Sequence, residues 1–374
     1  GQSFRWKVLP PTNLFSIPPV PSNSSIYIGV LFKKLILLSQ DDKNVYYLSV
    51  NNDCEKTEEQ LRDYFQLSTN LSQLYQTWSD NDSIFEKLST TYQGVRILRQ
   101  DPVENLFSFI CSANNNISRI SGMVEKMCST YGDLVCKLDN EEYFSFPPLE
   151  ALSVPGVEGK LRELGFGYRA KYIQQSAKSI LDNGGVSWLA GLREQEYSDA
   201  RRSLIKLQGI GPKVADCILL MSLDQPGAVP VDTHMFNIAK QYLPHLNKTK
   251  TVTDKVYAEI GDHFRTLYGG HAGWAHSVLF SADLKHIQKS LENQSSKNKS
   301  DVVPDLVTTP TKLQSKSRKN KLKVDHKSLL DDNNHNRDTE TTPPPHKKKK
   351  TRKTPECRDL TIYQYNAHIN TSDT

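Results

Sequence analysis

A chain of 374 residues, 37% hydrophobic and 24% charged, is long enough for two or three domains and apolar enough to bury a sizeable core. Its 47 basic and 42 acidic residues leave a net charge of only +5, so bulk charge alone does not make it a nucleic-acid binder. The six cysteines (Cys54, Cys111, Cys128, Cys136, Cys217 and Cys357) include no C-x-x-C pair and no compact group of four, which excludes a cysteine-ligated zinc or iron–sulfur centre of ordinary spacing, implies no disulfide framework and points to a reducing compartment.

The chain opens on Gly1 rather than Met, and Gly-Gln-Ser-Phe-Arg-Trp reads as the middle of a strand. The sequence is therefore expected to be a piece lacking its true N-terminus, with any targeting signal upstream. Residues 26–50 carry Ile26-Tyr27-Ile28, Leu35 to Leu38, a polar turn from Gln40 to Asn44, and Val45 to Leu48, the pattern of a hairpin or small meander. The longest apolar stretch, Ile26 to Leu38, is interrupted by Lys33-Lys34 and is too short and too charged to span a bilayer, so no membrane association is expected.

From Glu58 onward the spacing turns helical, with Leu61, Tyr64, Phe65 and Leu67, then Ile84, Phe85 and Leu88 behind the cap-like Asp82-Ser83. Asp101-Pro102 starts a strong helix, with Asp at the N-cap, Pro in the first turn and an apolar face of Val103, Leu106, Phe107 and Ile110. Further helices are predicted at about 117–130, 149–153, 158–164, 169–182, 194–207, 213–223, 233–242, 253–267 and 272–288, separated by short turns bearing Gly or Pro. The organisation expected is a β-rich domain with linking helices over 1–100, an all-helical domain over 101–290 and a tail over 291–374. In the tail Ser, Lys, Asn, Asp, Thr and Pro dominate without periodicity, so it is expected to be disordered. Seventeen basic and 11 acidic residues fall in it, leaving 30 and 31 for residues 1–290. Any nucleic-acid surface on the globular part must then be a local patch of backbone amides and a few cations. The basic run from Lys347 to Lys353 is equally a nuclear-import signal and a solvated charge run.

The segment richest in chemistry is Leu207-Gln208-Gly209-Ile210-Gly211-Pro212-Lys213-Val214-Ala215-Asp216, between two helical patterns. Gly209 and Gly211 make a tight turn with unblocked amides, and the following helix N-terminus adds partial positive charge, which suits a DNA phosphate. A bare G-x-G is equally the corner of an ordinary αα-hairpin. Lys213 adds a second signal, because the positive end of the helix favours the neutral, nucleophilic form of an amine in its first turn; a solvent-facing Lys is the plain alternative. Cys217 and Met221 follow on roughly the same face, as an apolar strip beside the amine or as core. Val229-Pro230-Val231-Asp232-Thr233-His234-Met235 forms an extended apolar approach to another helix, with Asp232, nineteen positions after Lys213, at the N-cap. A carboxylate near such an amine is what cleavage of an N-glycosidic bond requires: it stabilises oxocarbenium charge at the sugar carbon that the amine attacks. His234 reads as a phosphate donor or an exposed first-turn histidine.

Helix, L-x-G-I-G-x-K-V-A-D, helix, then V-P-V-D-T-H resembles the helix-hairpin-helix DNA glycosylase superfamily, and its lysine resembles that of the bifunctional glycosylase/AP lyases. Residues 1–6, Asp101-Pro102 with 106–111, Asn114 to Ile117, Gly167-Tyr168-Arg169, and Ala272-Gly273-Trp274 with Val278 to Leu284 are similar to the eukaryotic 8-oxoguanine DNA glycosylase family. The resemblance covers nearly all of 1–290.

It implies an α+β fold: an N-terminal antiparallel β-rich domain, truncated here, packed on an all-α helix-hairpin-helix domain. The implied activity is removal of 8-oxoguanine paired with cytosine through a Lys Schiff base, then β-elimination, with damaged double-stranded DNA as partner. Lys213 is the implied nucleophile and Asp232 the assisting carboxylate. Gly1 would accept from the proton on N7 of the lesion, Phe280 and Cys217 would sandwich the flipped base, and Met221 and His276 would complete the pocket. Asn114, Arg119 and Arg169 would read the orphaned cytosine, and Tyr168 would wedge the gap in the stack. Gly209, Gly211 and His234 complete the DNA contacts. Where the family has a Gln at the base edge this chain has His276, one turn before Phe280, which in its neutral form cannot offer the amide's paired donor and acceptor. No metal or other cofactor is expected; the expected state is a monomer in the nucleus, a mitochondrial form staying open, working with downstream repair proteins. Two rivals stay open: a glycosylase of the same superfamily with another lesion preference, and a non-catalytic helix-hairpin-helix DNA-binding protein.

Overall fold

The computed structural model describes residues 2–9, 25–41, 44–49, 54–138, 141–283 and 366–367. Gly1 and, apart from 366–367, the expected tail lie outside them.

The N-terminal layer is an antiparallel sheet of β1 (Lys7–Leu9), β2 (Ile26–Leu31), β3 (Lys34–Gln40) and β4 (Val45–Ser49), with a short strand at Asn366–Ala367 beside β4. β2 and β3 join through Phe32 and Lys33, both at positive φ (53° and 59°), a two-residue turn whose twist matches the strands. Alternation sends Ile28, Val30, Leu35, Leu37 and Leu48 to one face and Ile36, Leu38 and Tyr47 to the other. Both faces are covered, the second by Leu61 of α1 (Cys54–Tyr64), which is why β3 reads as an unbroken apolar run.

The first face is covered by a hairpin that the sequence reading did not predict, β5 (Leu134–Leu138) and β6 (Glu141–Phe144). It lies far along the chain, inside the helical stretch, and contributes Cys136 and Tyr143 to the core of the N-terminal sheet.

The expected strand over 1–6 is corrected: residues 2–6 form no strand. The Gln2 side chain takes a strand neighbour's place, donating to the Arg96 carbonyl (2.9 Å) and accepting from the Leu98 amide (2.9 Å). Trp6 lies flat on β2, so close that a Cβ on Gly29 would stand 2.8 Å from its ring. Arg5, itself buried, pairs with Glu104 at 3.3 Å and donates to the Phe144 carbonyl.

The helical layer comprises α2 (Leu71–Asn81), α3 (Ser83–Ser89), α4 (Pro102–Ser112), α5 (Ile117–Tyr131), α6 (Leu149–Ser153), α7 (Val157–Glu163), α8 (Arg169–Asp182), α9 (Gly185–Gly191), α10 (Tyr197–Ile205), α11 (Pro212–Ser222), α12 (Thr233–Tyr242) and α13 (Asp254–Tyr268). A last helix, α14, is described over 272–283. The predicted helix at 194–207 begins later, at Tyr197, because α9 and a 3-10 turn (Leu192–Glu194) occupy the chain before it. Asp101 and Asp82 cap α4 and α3 as expected, accepting from Glu104 N–H and Ile84 N–H at 2.9 Å. α11 runs through the middle of the core, with every residue from Val214 to Ser222 buried.

Candidate active site

The turn between α10 and α11 is built around Gly209, whose φ of +80° only glycine adopts without strain and whose Cβ would meet the Tyr172 ring at 2.6 Å. Ile210 anchors the turn in the core, and Ser176 of α8 donates to the Gln208 carbonyl at 2.8 Å. Gly211 is extended, with open space where a Cβ would be, and neither its amide nor that of Gly209 makes a hydrogen bond among the described residues. Two free amides ahead of a helix N-terminus form an anion-accepting concavity.

Lys213 follows in the first turn of α11, half-buried, its Nζ 5.4 Å from the centre of the Phe109 ring of α4. One turn on, Cys217 is buried; burial pushes its thiol up to about 11, against the opposing pull of the Lys213 charge. Met221 lies a further turn along, about 6 Å in rise from Cys217, in the core.

The buried approach Val229-Pro230-Val231 delivers Asp232 to the start of α12. Its Oδ1 accepts from Met235 N–H at 2.9 Å, an N-cap that contributes about 1 kcal/mol. Among the described residues the cap engages Oδ1 only.

His276 of α14 joins the two halves, since the charges of both Lys213 and Asp232 act on it. It is buried, and neither ring nitrogen has a hydrogen-bond partner of acceptable geometry. Burial, aided by the Lys213 charge and opposed by Asp232, drives its pKa down to about 4, so the ring is neutral at pH 7. Phe280 stacks on it at 6.0 Å and 30° and meets His234 edge-on at 5.7 Å, while His234 Nδ1 lies 3.0 Å from Asp283 Oδ2. Lys213, Cys217, Asp232, His234, His276 and Phe280 are thus one neighbourhood.

The expected DNA-reading residues form a second group. Asn114 is exposed at φ +47°, and its carbonyl and that of Ala113 accept from the guanidinium of Arg169, which is buried with its Nε unpartnered. That guanidinium also lies 4.6 Å from the ring centre of Tyr168, whose hydroxyl donates to Ala113 (3.3 Å) and whose ring is 48% exposed. Arg119 stands apart, reaching the Gly165 carbonyl at 3.4 Å. Tyr168 packs edge-on against Tyr172, and Tyr172 against Gly209, so ring contacts link this group to the glycine turn. Gly1 lies outside the described residues.

Sequence reasoning assigned no site role to Phe109, to Asp283 or to the cluster around Asp216 of α11. Among the described residues no group of His, Cys, Asp and Glu is placed to hold a metal. A concavity of about 230 Å³ lined by Asp63, Arg99, Asp224, His271 and Trp274 touches none of the site residues, and its charges are spent on the Arg99 pairs with Asp63 and Asp224.

Residues 1–106 match the profile of the 8-oxoguanine DNA glycosylase N-terminal domain, and residues 107–262 that of the HhH-GPD superfamily base excision DNA repair proteins. The chain is 39% identical over 317 residues to an N-glycosylase/DNA lyase of Saccharomyces cerevisiae, spanning 76% of this chain and 81% of the yeast protein. It is also 39% identical over 297 residues to the N-glycosylase/DNA lyase OGG1 of Arabidopsis thaliana, spanning 78% and 77%. A similar solved structure is the Clostridium acetobutylicum 8-oxoguanine glycosylase/lyase with double-stranded DNA containing cytosine opposite 8-oxoguanine, at a TM-score of 0.64 and 28% identity over 76% of this chain and 89% of that one. The chain belongs to the 8-oxoguanine DNA glycosylase family of helix-hairpin-helix N-glycosylase/DNA lyases, bifunctional enzymes of base-excision repair.

Proposed function

We propose that this enzyme removes 8-oxoguanine paired with cytosine from duplex DNA and then cleaves the abasic strand through an imine on Lys213. The observation that carries the reading is that the Lys213 amine, the Asp232 carboxylate and the buried His276 ring lie within electrostatic reach of one another. A pure DNA-binding hairpin requires the amides of Gly209 and Gly211 and has no use for the other three.

The chemistry runs as follows. The flipped nucleotide enters between Phe280 and Cys217, its phosphates held by the glycine turn and the α11 N-terminus. As the C1′–N9 bond lengthens its electrons leave with the base, which takes up a proton, and the free oxygen of Asp232 faces the positive charge building on the sugar. The Lys213 lone pair forms the new bond to C1′. Loss of the proton on nitrogen and opening of the C1′–O4′ bond, with O4′ taking a proton, give the imine. Removal of a proton from C2′ then expels the 3′-phosphate and leaves the strand cut.

Arg169, Asn114, Tyr168 and Arg119 serve the cytosine side. The guanidinium of Arg169 rests through Nη2 on the Ala113 and Asn114 carbonyls, a store of donors whose Nε is still unspent. Gly1 accepts from N7 of the lesion. The enzyme acts as a monomer, with the Lys347 to Lys353 run as its nuclear address.

The test is single-turnover base release on duplexes carrying 8-oxoguanine opposite C, 8-oxoguanine opposite A, and undamaged G opposite C. Release at least tenfold faster from the first than from the second supports the pairing rule; equal rates refute it.

A further inference from the structure

Asp216 sits one turn after Lys213 on the buried side of α11 and is fully buried. A carboxylate there persists only if its oxygens are satisfied. Oδ1 accepts from the Tyr197 hydroxyl at 2.8 Å and from Arg201 Nε at 3.2 Å, both on α10. Oδ2 accepts from the Tyr257 hydroxyl of α13 at 2.5 Å.

Tyr257 does a second thing. Its oxygen accepts from the backbone N–H of Val231 at 3.2 Å. Val231 is buried, in the extended approach to α12, where its amide has no ladder partner, and the next residue is Asp232. A phenol is suited to this place because one oxygen both donates and accepts. The hydrogen bonds therefore run without a break from α11, the helix of Lys213, through Asp216 and Tyr257 to the backbone of Val231, the residue before the second reacting group. The Arg201 guanidinium, 5.3 Å from the centre of the Tyr257 ring, fixes the ring from the side.

We infer that Tyr257 is a positioning residue for the lyase and glycosylase steps, its hydroxyl setting the Asp232 carboxylate against the Lys213 amine by tying the Val231 peptide to Asp216. The inference rests on the proposed roles of Lys213 and Asp232. Tyr257 does not touch substrate; it acts through the backbone that carries Asp232. Misplacement of a reacting group by about 1 Å costs on the order of a hundredfold in rate, so loss of one tether is expected to show in the chemical step rather than in DNA binding.

The experiment compares Tyr257→Phe with Tyr242→Phe, which loses a similar buried phenol–carboxylate bond, to Asp82 at 2.8 Å, at a cluster with no contact to the Val231–Asp232 peptide. Both are assayed with the full chain for melting temperature, affinity for abasic duplex, and the single-turnover rate of borohydride-trappable imine on that duplex. Tyr257→Phe is expected to slow imine formation at least tenfold with affinity within twofold, while Tyr242→Phe loses a similar number of degrees in melting temperature and keeps its rate within twofold. Equal rates for the two variants overturn the inference. Should Tyr257→Phe not fold, Asp216→Asn keeps the shape of the cluster and weakens the tether: a slowed imine rate supports the inference and an unchanged rate overturns it. The wild-type arm separates the two layers, since no imine from wild type, or imine from Lys213→Gln, refutes the Schiff-base reading itself.

Discussion

Two buried aspartates in the helical layer use the same parts for different ends. Asp82 accepts from the hydroxyls of Tyr242 at 2.8 Å and Tyr268 at 2.5 Å on one oxygen and caps α3 with the other. Asp216 accepts from Tyr197 and Tyr257, and adds Arg201. In both clusters burial pushes the phenols above their usual range, and the neighbouring carboxylate adds to the rise. The difference lies in the second bond of the phenol. Tyr242 reaches only the other phenol of its own cluster, at 3.4 Å, within a wall of Trp78, Phe85, Phe264 and Tyr268, whereas Tyr257 reaches the backbone next to Asp232. A carboxylate–phenol pair is a fastening in either place; what it fastens decides whether its loss is felt as stability or as rate.

The contrast is sharpest when the carboxylates are removed. Asp216→Ala leaves two phenols and the partly exposed Arg201 without their acceptor, a loss of about 3 kcal/mol, and the imine rate should fall with it. Calorimetry and trapping on one preparation check both effects. Asp82→Ala instead leaves two phenols that can pair with each other, so a smaller loss of about 2 kcal/mol is expected from the missing cap and bonds, with trapping unchanged. A larger loss at Asp82 than at Asp216 breaks the comparison.

His276 extends it to a buried polar group whose ring nitrogens find no well-formed hydrogen bond among the described residues. Its pKa in the fold, about 4, is below the ordinary histidine value. The unfolded chain therefore binds the extra proton between roughly pH 4 and 6.5, and stability is fully present above that window and falls as pH drops through it. The shift corresponds to roughly 3 kcal/mol across the window. His276→Gln, which restores the amide of the family, should flatten this slope in melting curves taken from pH 4 to 7; an unchanged slope contradicts the placement. The smallest effect belongs to Tyr242→Phe, about 1 to 2 kcal/mol for one hydrogen bond to a charged group, read by denaturant unfolding.

These contrasts follow how the chain could be read. The glycine turn, Lys213 at the helix start and the Asp232 cap were legible because each is set by neighbours within a few residues: a positive-φ glycine, a proline in the first turn, a side chain bonding three positions ahead. The N-terminal meander was legible for the same reason. The hairpin of β5 and β6 was not, because its strands are short and sit between strong helices, although Asp139-Asn140 between Val135–Leu138 and Glu141–Phe144 is a turn signal. Asp216 reads as a polar break in the apolar face of α11; its partners lie 15, 19 and 41 residues away, and only the fold brings them together. The same holds for Phe109, which lies beneath the Lys213 amine from another helix.

The central claim is that Lys213 becomes covalently joined to the sugar. Borohydride reduction of wild type and Lys213→Gln on duplex DNA with 8-oxoguanine opposite C, followed by peptide mapping of the adduct, tests it directly. The account predicts an adduct on Lys213 in the wild type and none in a variant that still binds the duplex. An adduct on another residue, or equal trapping by the variant, would contradict it.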